Sequence, residues 1–289
     1  MSILTANTIT QKPYNEDAFS LILNLERGIN GICIADGLGS MPHCSEAAAF
    51  VTQFFKSKFE NSLLPEPDEN FLRKCFLECM DELQLYATNL NIPDYNSSTM
   101  FGTTCILMLE LPEKFIFSYI GNGAIWHIRP NIYNFNKRFW PIPWVAMNYL
   151  NPHSVLDLKT NREAIYKLFS PDMQDAGVMP TFLTLAKDRI DGDIIMICTD
   201  GIHSNDQSPL GVIAKTGEIW KKMDQSLDFF LRSLGDFYKS GTYTQDNLNS
   251  IMNGFLDSLK QKRLLDDDAT IGVLLTDNAL QFIINQEQQ

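Results

Sequence analysis

Apolar residues recur along this chain at two periods, and the short runs with glycine or aspartate at their ends read as buried strands. Ile32 to Ala35 runs into Asp36-Gly37-Leu38-Gly39, and Ile194 to Cys198 runs into Thr199-Asp200-Gly201. Two buried strands thus each deliver an aspartate where the backbone must turn sharply, a suitable place to hold a cation. Residues 1–30 predict two strands around a turn, with Ala18 to Leu23 partly alternating. Thr103 to Leu109, Phe115 to Ile120 and Ala124 to Ile128 predict three more strands, and Gly121-Asn122-Gly123 predicts a hairpin between the last two. Leu265 to Leu275 opens on Asp266-Asp267-Asp268 and continues as a buried strand, and Ala279 to Ile284 reads as an edge strand.

The helical period covers Ser45 to Glu60, where Ser45 can cap and Glu46 favours the positive end of the dipole. It also covers Glu69 to Asn89, a short stretch from Arg162 to Phe169, and two long stretches near Glu218 to Lys239 and Gln245 to Leu264. Residues 130–180 carry six prolines and little regular pattern, and this irregular insertion is the candidate for a flap over a site.

A length of 289 residues with 45% apolar composition supplies a substantial core. The net charge of −12 argues against a nucleic-acid partner, which needs clustered Lys and Arg. No basic leader and no long apolar segment stands out, so a soluble cytoplasmic protein without membrane contact is expected. Six scattered cysteines lack the paired spacings of zinc sites, and reduced core thiols are the expected state. The four histidines read as packing or surface residues; His203, three positions after Asp200, is the best placed for chemistry, followed by His153.

Acidic residues stand at four strand ends: Glu16-Asp17, Asp36, Asp200 and Asp266-Asp267-Asp268. Brought together, they make an all-oxygen pocket that selects Mg²⁺ or Mn²⁺ over softer ions. A carboxylate can bridge two such ions about 3.5–4 Å apart, and water held between them is partly ionised near neutral pH.

Asn15-Glu16-Asp17-Ala18-Phe19, Ala35-Asp36-Gly37-Leu38-Gly39, Phe101-Gly102-Thr103-Thr104, Gly121-Asn122-Gly123, Cys198-Thr199-Asp200-Gly201 and Asp267-Asp268-Ala269-Thr270 together resemble the ordered motifs of metal-dependent type 2C protein phosphatases. The resemblance implies a four-layer αββα sandwich of two antiparallel sheets flanked by helices, with a site for two Mn²⁺ or Mg²⁺ ions at one end. It implies that Asp36 bridges the ions, with Glu16 and the Gly37 carbonyl on one and Asp200 and Asp267 on the other. Asp17 would orient metal-bound water, and a bridging hydroxide would attack phosphoserine or phosphothreonine esters of a protein substrate.

Three departures stand out. Lys12 takes the place of the family's phosphate-binding arginine, and a lysine cannot grip phosphate in a bidentate way. Asn122 and Ser204 stand where many members carry acids linked to a third metal, so that third site is expected to be absent or weak. Leu38 replaces the histidine of animal members and resembles the bacterial branch. These departures motivate an alternative, a pseudophosphatase acting as a binding module on the same fold; hydrolysis of other phosphate esters is a further alternative.

Overall fold

The computed structural model describes residues 2–61, 66–90, 100–130, 144–157, 162–171, 175–203, 210–212, 219–221, 225–265 and 267–281. In chain order the elements are β1 (Ile3–Ile9), β2 (Asp17–Asn24), β3 (Ile29–Asp36), α1 (Cys44–Glu60), α2 (Glu69–Asn89), β4 (Cys105–Glu110), β5 (Lys114–Ile120), β6 (Ala124–Pro130) and β7 (Trp144–Asn148). They continue with β8 (Ser154–Asp157), β9 (Arg162–Ile165), α3 (Asp175–Val178), β10 (Thr181–Ala186), β11 (Ile194–Cys198), β12 (Leu210–Val212), β13 (Ile219–Lys221), α4 (Gln225–Lys239), α5 (Gln245–Gln261) and β14 (Ala269–Leu275).

Two five-stranded sheets, ordered β1-β14-β11-β6-β7 and β10-β5-β4-β3-β2, are antiparallel throughout. Their facing sides share one core that includes Ile32, Ile34, Met108, Phe117, Ile197 and Leu274. The opposite side of β3 and β4 packs Cys33 and Leu107 against Val51 and Phe55 of α1 and Phe76 of α2. On the other sheet, Met196, Ile271 and Val273 pack against Phe230 and Leu234 of α4 and Met252 and Leu256 of α5. The order is therefore helix, sheet, sheet, helix, the four-layer sandwich. Strands covered on both faces bury apolar side chains on either side, which is why residues 32–35 of β3, all of β11 and most of β14 read as continuous apolar runs.

Several local expectations are corrected. Gly121-Asn122-Gly123 does not close a hairpin: β5 pairs with β4 and β10, whereas β6 pairs with β11 and β7 in the other sheet. The glycines carry φ of +94° and +109°, and this left-handed geometry turns the chain from one sheet to the other. A hairpin and a crossing need the same backbone freedom, so the tripeptide alone cannot separate them. The helix expected from Arg162 to Phe169 is instead β9, paired with β8, followed by Phe169, which stacks on Phe76 and exchanges backbone hydrogen bonds with Thr103. Tertiary pairing overrides a weak local helical pattern.

The expected edge strand from Ala279 is helical over 277–281, with the remainder outside the described residues. Ala279 and Leu280 turn inward onto the α4 and α5 layer. Of the long helix near Glu218, residues 219–221 form β13 and the helix itself starts at Gln225. Ser45 is not a cap, since α1 begins at Cys44 and the Ser45 hydroxyl bonds Glu46 Oε2 at 3.0 Å. Of the expected flap, residues 131–143, 158–161 and 172–174 lie outside the described residues, while β7 extends one sheet and β8–β9 forms a separate ribbon. All six cysteines are buried thiols outside any disulfide.

Candidate active site

The pairing of β2 with β3 sets Asp17 opposite Asp36. Gly102-Thr103-Thr104 grips the Asp36 backbone: the Thr104 hydroxyl accepts from Asp36 N at 3.1 Å, and Thr103 Oγ1 and Thr104 N each donate to Asp36 O at 2.8 Å. From the other sheet, β11 delivers Thr199 and Asp200. The Thr199 hydroxyl donates to Asp17 Oδ2 at 2.8 Å and accepts from Thr270 N at 2.9 Å, tying β2, β11 and β14 together. The sheet crossing supplies Asn122, whose Nδ2 donates to Asp200 Oδ2 at 2.7 Å.

Asp36 lies within hydrogen-bonding reach of both Asp17 and Asp200. Burial, then the charges of Asp200 and Asp17, push it well above the ordinary carboxylate range. Burial likewise pushes Asp17 up to about 7, although hydrogen bonds oppose the rise. Asp17 Oδ1 and Asn122 Oδ1 are buried with no hydrogen-bond partner among the described residues. The group facing Asp17 is another carboxyl, a donor only when protonated.

A second cluster forms the rim. Ligand atoms of Glu16, Asp267 and Asp268 lie within 4.8 Å of one another. Asp268 organises the entering loop: its Oδ1 accepts from Gln11 N at 2.6 Å, Lys12 N at 3.2 Å and Thr10 Oγ1 at 2.8 Å, and its Oδ2 accepts from Glu16 N at 2.8 Å. Burial works to raise the Asp268 pKa, but these donors hold it below the ordinary value. The Lys12 ammonium pairs with Glu16 and, at 2.6 Å, with Asp267 Oδ1. Gly37 N donates to Glu16 O at 3.1 Å, which joins the rim to the buried group.

Lys12, Glu16, Asp17, Asp36, Gly37, Asn122, Asp200 and Asp267 thus reach one end of the sandwich, whereas Ser204 and Asp266 lie outside the described segments. Crowded carboxyls, one of them with an oxygen that has no partner among the described residues, offer oxygen ligands only and fit a hard divalent cation. The sequence reading missed the scaffolding work of Asp268 and Thr199. The available signal was the adjacency of each to an expected ligand, Asp267 and Asp200. His153 is structural: its Nδ1 accepts from Gly121 N at 3.3 Å, its Nε2 pairs with Thr181 Oγ1 at 2.7 Å, and burial lowers its pKa to about 4. His203 packs edge-on against Trp126.

The family model described as Protein phosphatase 2C matches residues 6–253. The chain therefore belongs to the protein phosphatase 2C family. The match stops before β14, so the structure, not the family model, brings Asp267 and Asp268 to the site. No curated protein sequence matches the chain. Among solved structures, the serine/threonine phosphatase Stp1 from Staphylococcus aureus is similar with a TM-score of 0.62 at 19% identity, over 96% of this chain and 94% of that one. The serine/threonine phosphatase PstP/Ppp of Mycobacterium tuberculosis gives 0.61 at 14% identity, over 95% and 98%. An S. agalactiae serine/threonine phosphatase gives 0.62 at 15%, over 96% and 100%. No helix among the described residues is long and apolar enough to cross a membrane.

Proposed function

We propose that this chain is a metal-dependent phosphatase that hydrolyses phosphoserine and phosphothreonine esters of proteins in the cytoplasm. The observation that carries the reading is the convergence of the buried Asp17 with the half-buried Asp36 and Asp200, where Asp17 has one oxygen without a donor among the described residues. In a protein without such a role, buried acids are matched by donors.

Glu16, Asp36, the Gly37 carbonyl, Asp200 and Asp267 are the residues that would hold two Mn²⁺ or Mg²⁺ ions. Bound there, these ions supply positive charge that ionises water near neutral pH and neutralises the phosphoryl oxygens. Asp17, held at one oxygen by Thr199, keeps the other free to accept a proton from the attacking water. Asn122 presents a neutral amide to Asp200 where an acid would add charge, so a third ion has little to hold it. Lys12 brings a positive charge to the rim, within reach of a phosphate.

The test is hydrolysis of phosphothreonine peptides and of p-nitrophenyl phosphate with Mn²⁺, Mg²⁺ or EDTA. Peptide turnover that EDTA abolishes, and that falls by about 10²–10³-fold in Asp200→Asn, is expected. Mn²⁺ binding without turnover of either substrate would leave a binding module, and turnover of the small ester alone would redirect the substrate class.

A further inference from the structure

The contacts of Lys12 go beyond what phosphate contact requires. Its ammonium touches Glu16 and Asp267, which on the reading above serve different ions. The loop that carries it is fixed from below, because Asp268 holds the backbone N–H groups of Gln11, Lys12 and Glu16. Gly39 backs the pair: a Cβ there would stand 3.1 Å from Lys12 Nζ and 2.7 Å from Glu16 Oε2. Any larger residue would displace the ammonium or the carboxylate. The Lys12 side chain is 31% exposed, so its flexible stem has an open path to solvent.

An ammonium and a divalent cation repel strongly at contact distance, so ions drawn to Glu16 and Asp267 work against the ammonium already bonded to Glu16 Oε2 and Asp267 Oδ1. Resting on the metal reading of the site, we propose that Lys12 is a tethered internal counter-ion of the metal-free protein, displaced from Glu16 and Asp267 when divalent ions bind. While Lys12 is in place, its charge neutralises part of the rim and holds Glu16 beside Asp267. When it is displaced, the stem turns outward while the backbone stays on Asp268. Because one ammonium blocks a ligand of each ion, a single side chain lowers affinity at both.

Calorimetric titration of the EDTA-stripped full chain with Mg²⁺ and with Mn²⁺ tests this. Lys12→Met is expected to bind about tenfold more tightly than the natural protein, since no ion pair has to be broken. Lys260→Met controls for long-range charge: Lys260 Nζ bonds the Thr10 carbonyl at 2.7 Å and touches no carboxylate of the site. It is expected to shift affinity by no more than about twofold. In the natural protein, acetic anhydride labelling read by mass spectrometry should modify Lys12 several-fold more at saturating Mg²⁺ than in EDTA. Lys58, paired with Glu78 on the helix layer, should not change.

Equal or weaker binding by Lys12→Met, or Lys12 labelling that does not rise with Mg²⁺, overturns the proposal while the metal reading stands. Failure of both ions to bind either protein overturns the two together.

Discussion

The two ends of the sandwich each bury acids, and they treat them in opposite ways. β11 has Asp193 just before it and Asp200 just after it, so one strand joins the two environments. At the far end Asp193 is fully buried, yet His127 Nε2 at 2.7 Å, Arg129 Nε at 2.9 Å and Asp188 N at 2.6 Å all surround it. Glu110 at the same end is held by Ser2, Asn30 and Lys187. At the near end Asp36 faces Asp17 and Asp200, and among the described residues Asp17 lacks a donor at one oxygen. Burial works against both sets. His127, the Asp188 N–H and Arg129 hold the Asp193 pKa below the ordinary value, whereas burial and like charge raise that of Asp36. The far end matches each acid with donors that hold the fold together, whereas the near end sets three carboxyls against one another.

The comparison breaks first at Asp193. Removing one member of a buried, hydrogen-bonded ion cluster leaves its partners uncompensated, and Asp193→Asn is expected to cost about 3 kcal/mol in urea unfolding. A loss under about 1 kcal/mol would mean that the far end is not an anchor.

That contrast was only half legible in the sequence. Asp17, Asp36 and Asp200 stood out because a carboxylate at the end of an apolar run has no local explanation. Asp193 and Glu110 did not, because their partners are remote: Glu110 bonds Ser2 across 108 positions and Asp193 bonds His127 across 66. Strands and helices declared themselves through periodicity, whereas the crossing at Gly121-Asn122-Gly123 depends on which sheet the next strand joins. β9 was misread for a similar reason, since the pairing with β8 and the burial of Phe169 lie outside its own sequence. Asp268 shows in the sequence only as one of three consecutive acids, whereas four donors make it part of the scaffold.

The next effect is smaller and opposite in sign. In metal-free protein, Asp36→Asn removes a carboxyl whose ionisation burial and the charges of Asp200 and Asp17 oppose, and should raise stability by about 1–2 kcal/mol at pH 7 while abolishing stabilisation by Mg²⁺. The pH profile sharpens the same point. Asp193 titrates in the fold below its ordinary 3.8, so its contribution is complete above that pH and is lost as pH falls through the folded value. Asp17 titrates in the fold at about 7, so the fold holds a proton the unfolded chain releases. Its contribution is present below 3.8 and is lost as pH rises through about 7. Urea midpoints of the metal-free protein should therefore peak near pH about 4 to 5 and decline towards about 8. Saturating Mg²⁺ should remove the decline by binding the ionised carboxylates. A metal-free profile that still rises between those limits would contradict the assignment of strained acids to the near end.

The smallest effect is expected at Asn122. Its amide donates to Asp200, a charge-assisted bond that stabilises by about 1.5–3 kcal/mol, but its own Oδ1 is buried without a partner, which costs about 1–3 kcal/mol. Asn122→Leu removes both terms in a side chain of similar size, and the positive φ angles belong to the flanking glycines, so leucine meets no backbone strain. Metal-free stability should therefore change by less than about 1 kcal/mol, whereas Mg²⁺ affinity should fall because Asp200 loses the donor that orients it. A stability loss above about 2 kcal/mol would show that the Asn122 carbonyl is satisfied after all. The near end would then contain at least one polar group engaged as fully as Asp193 is at the far end.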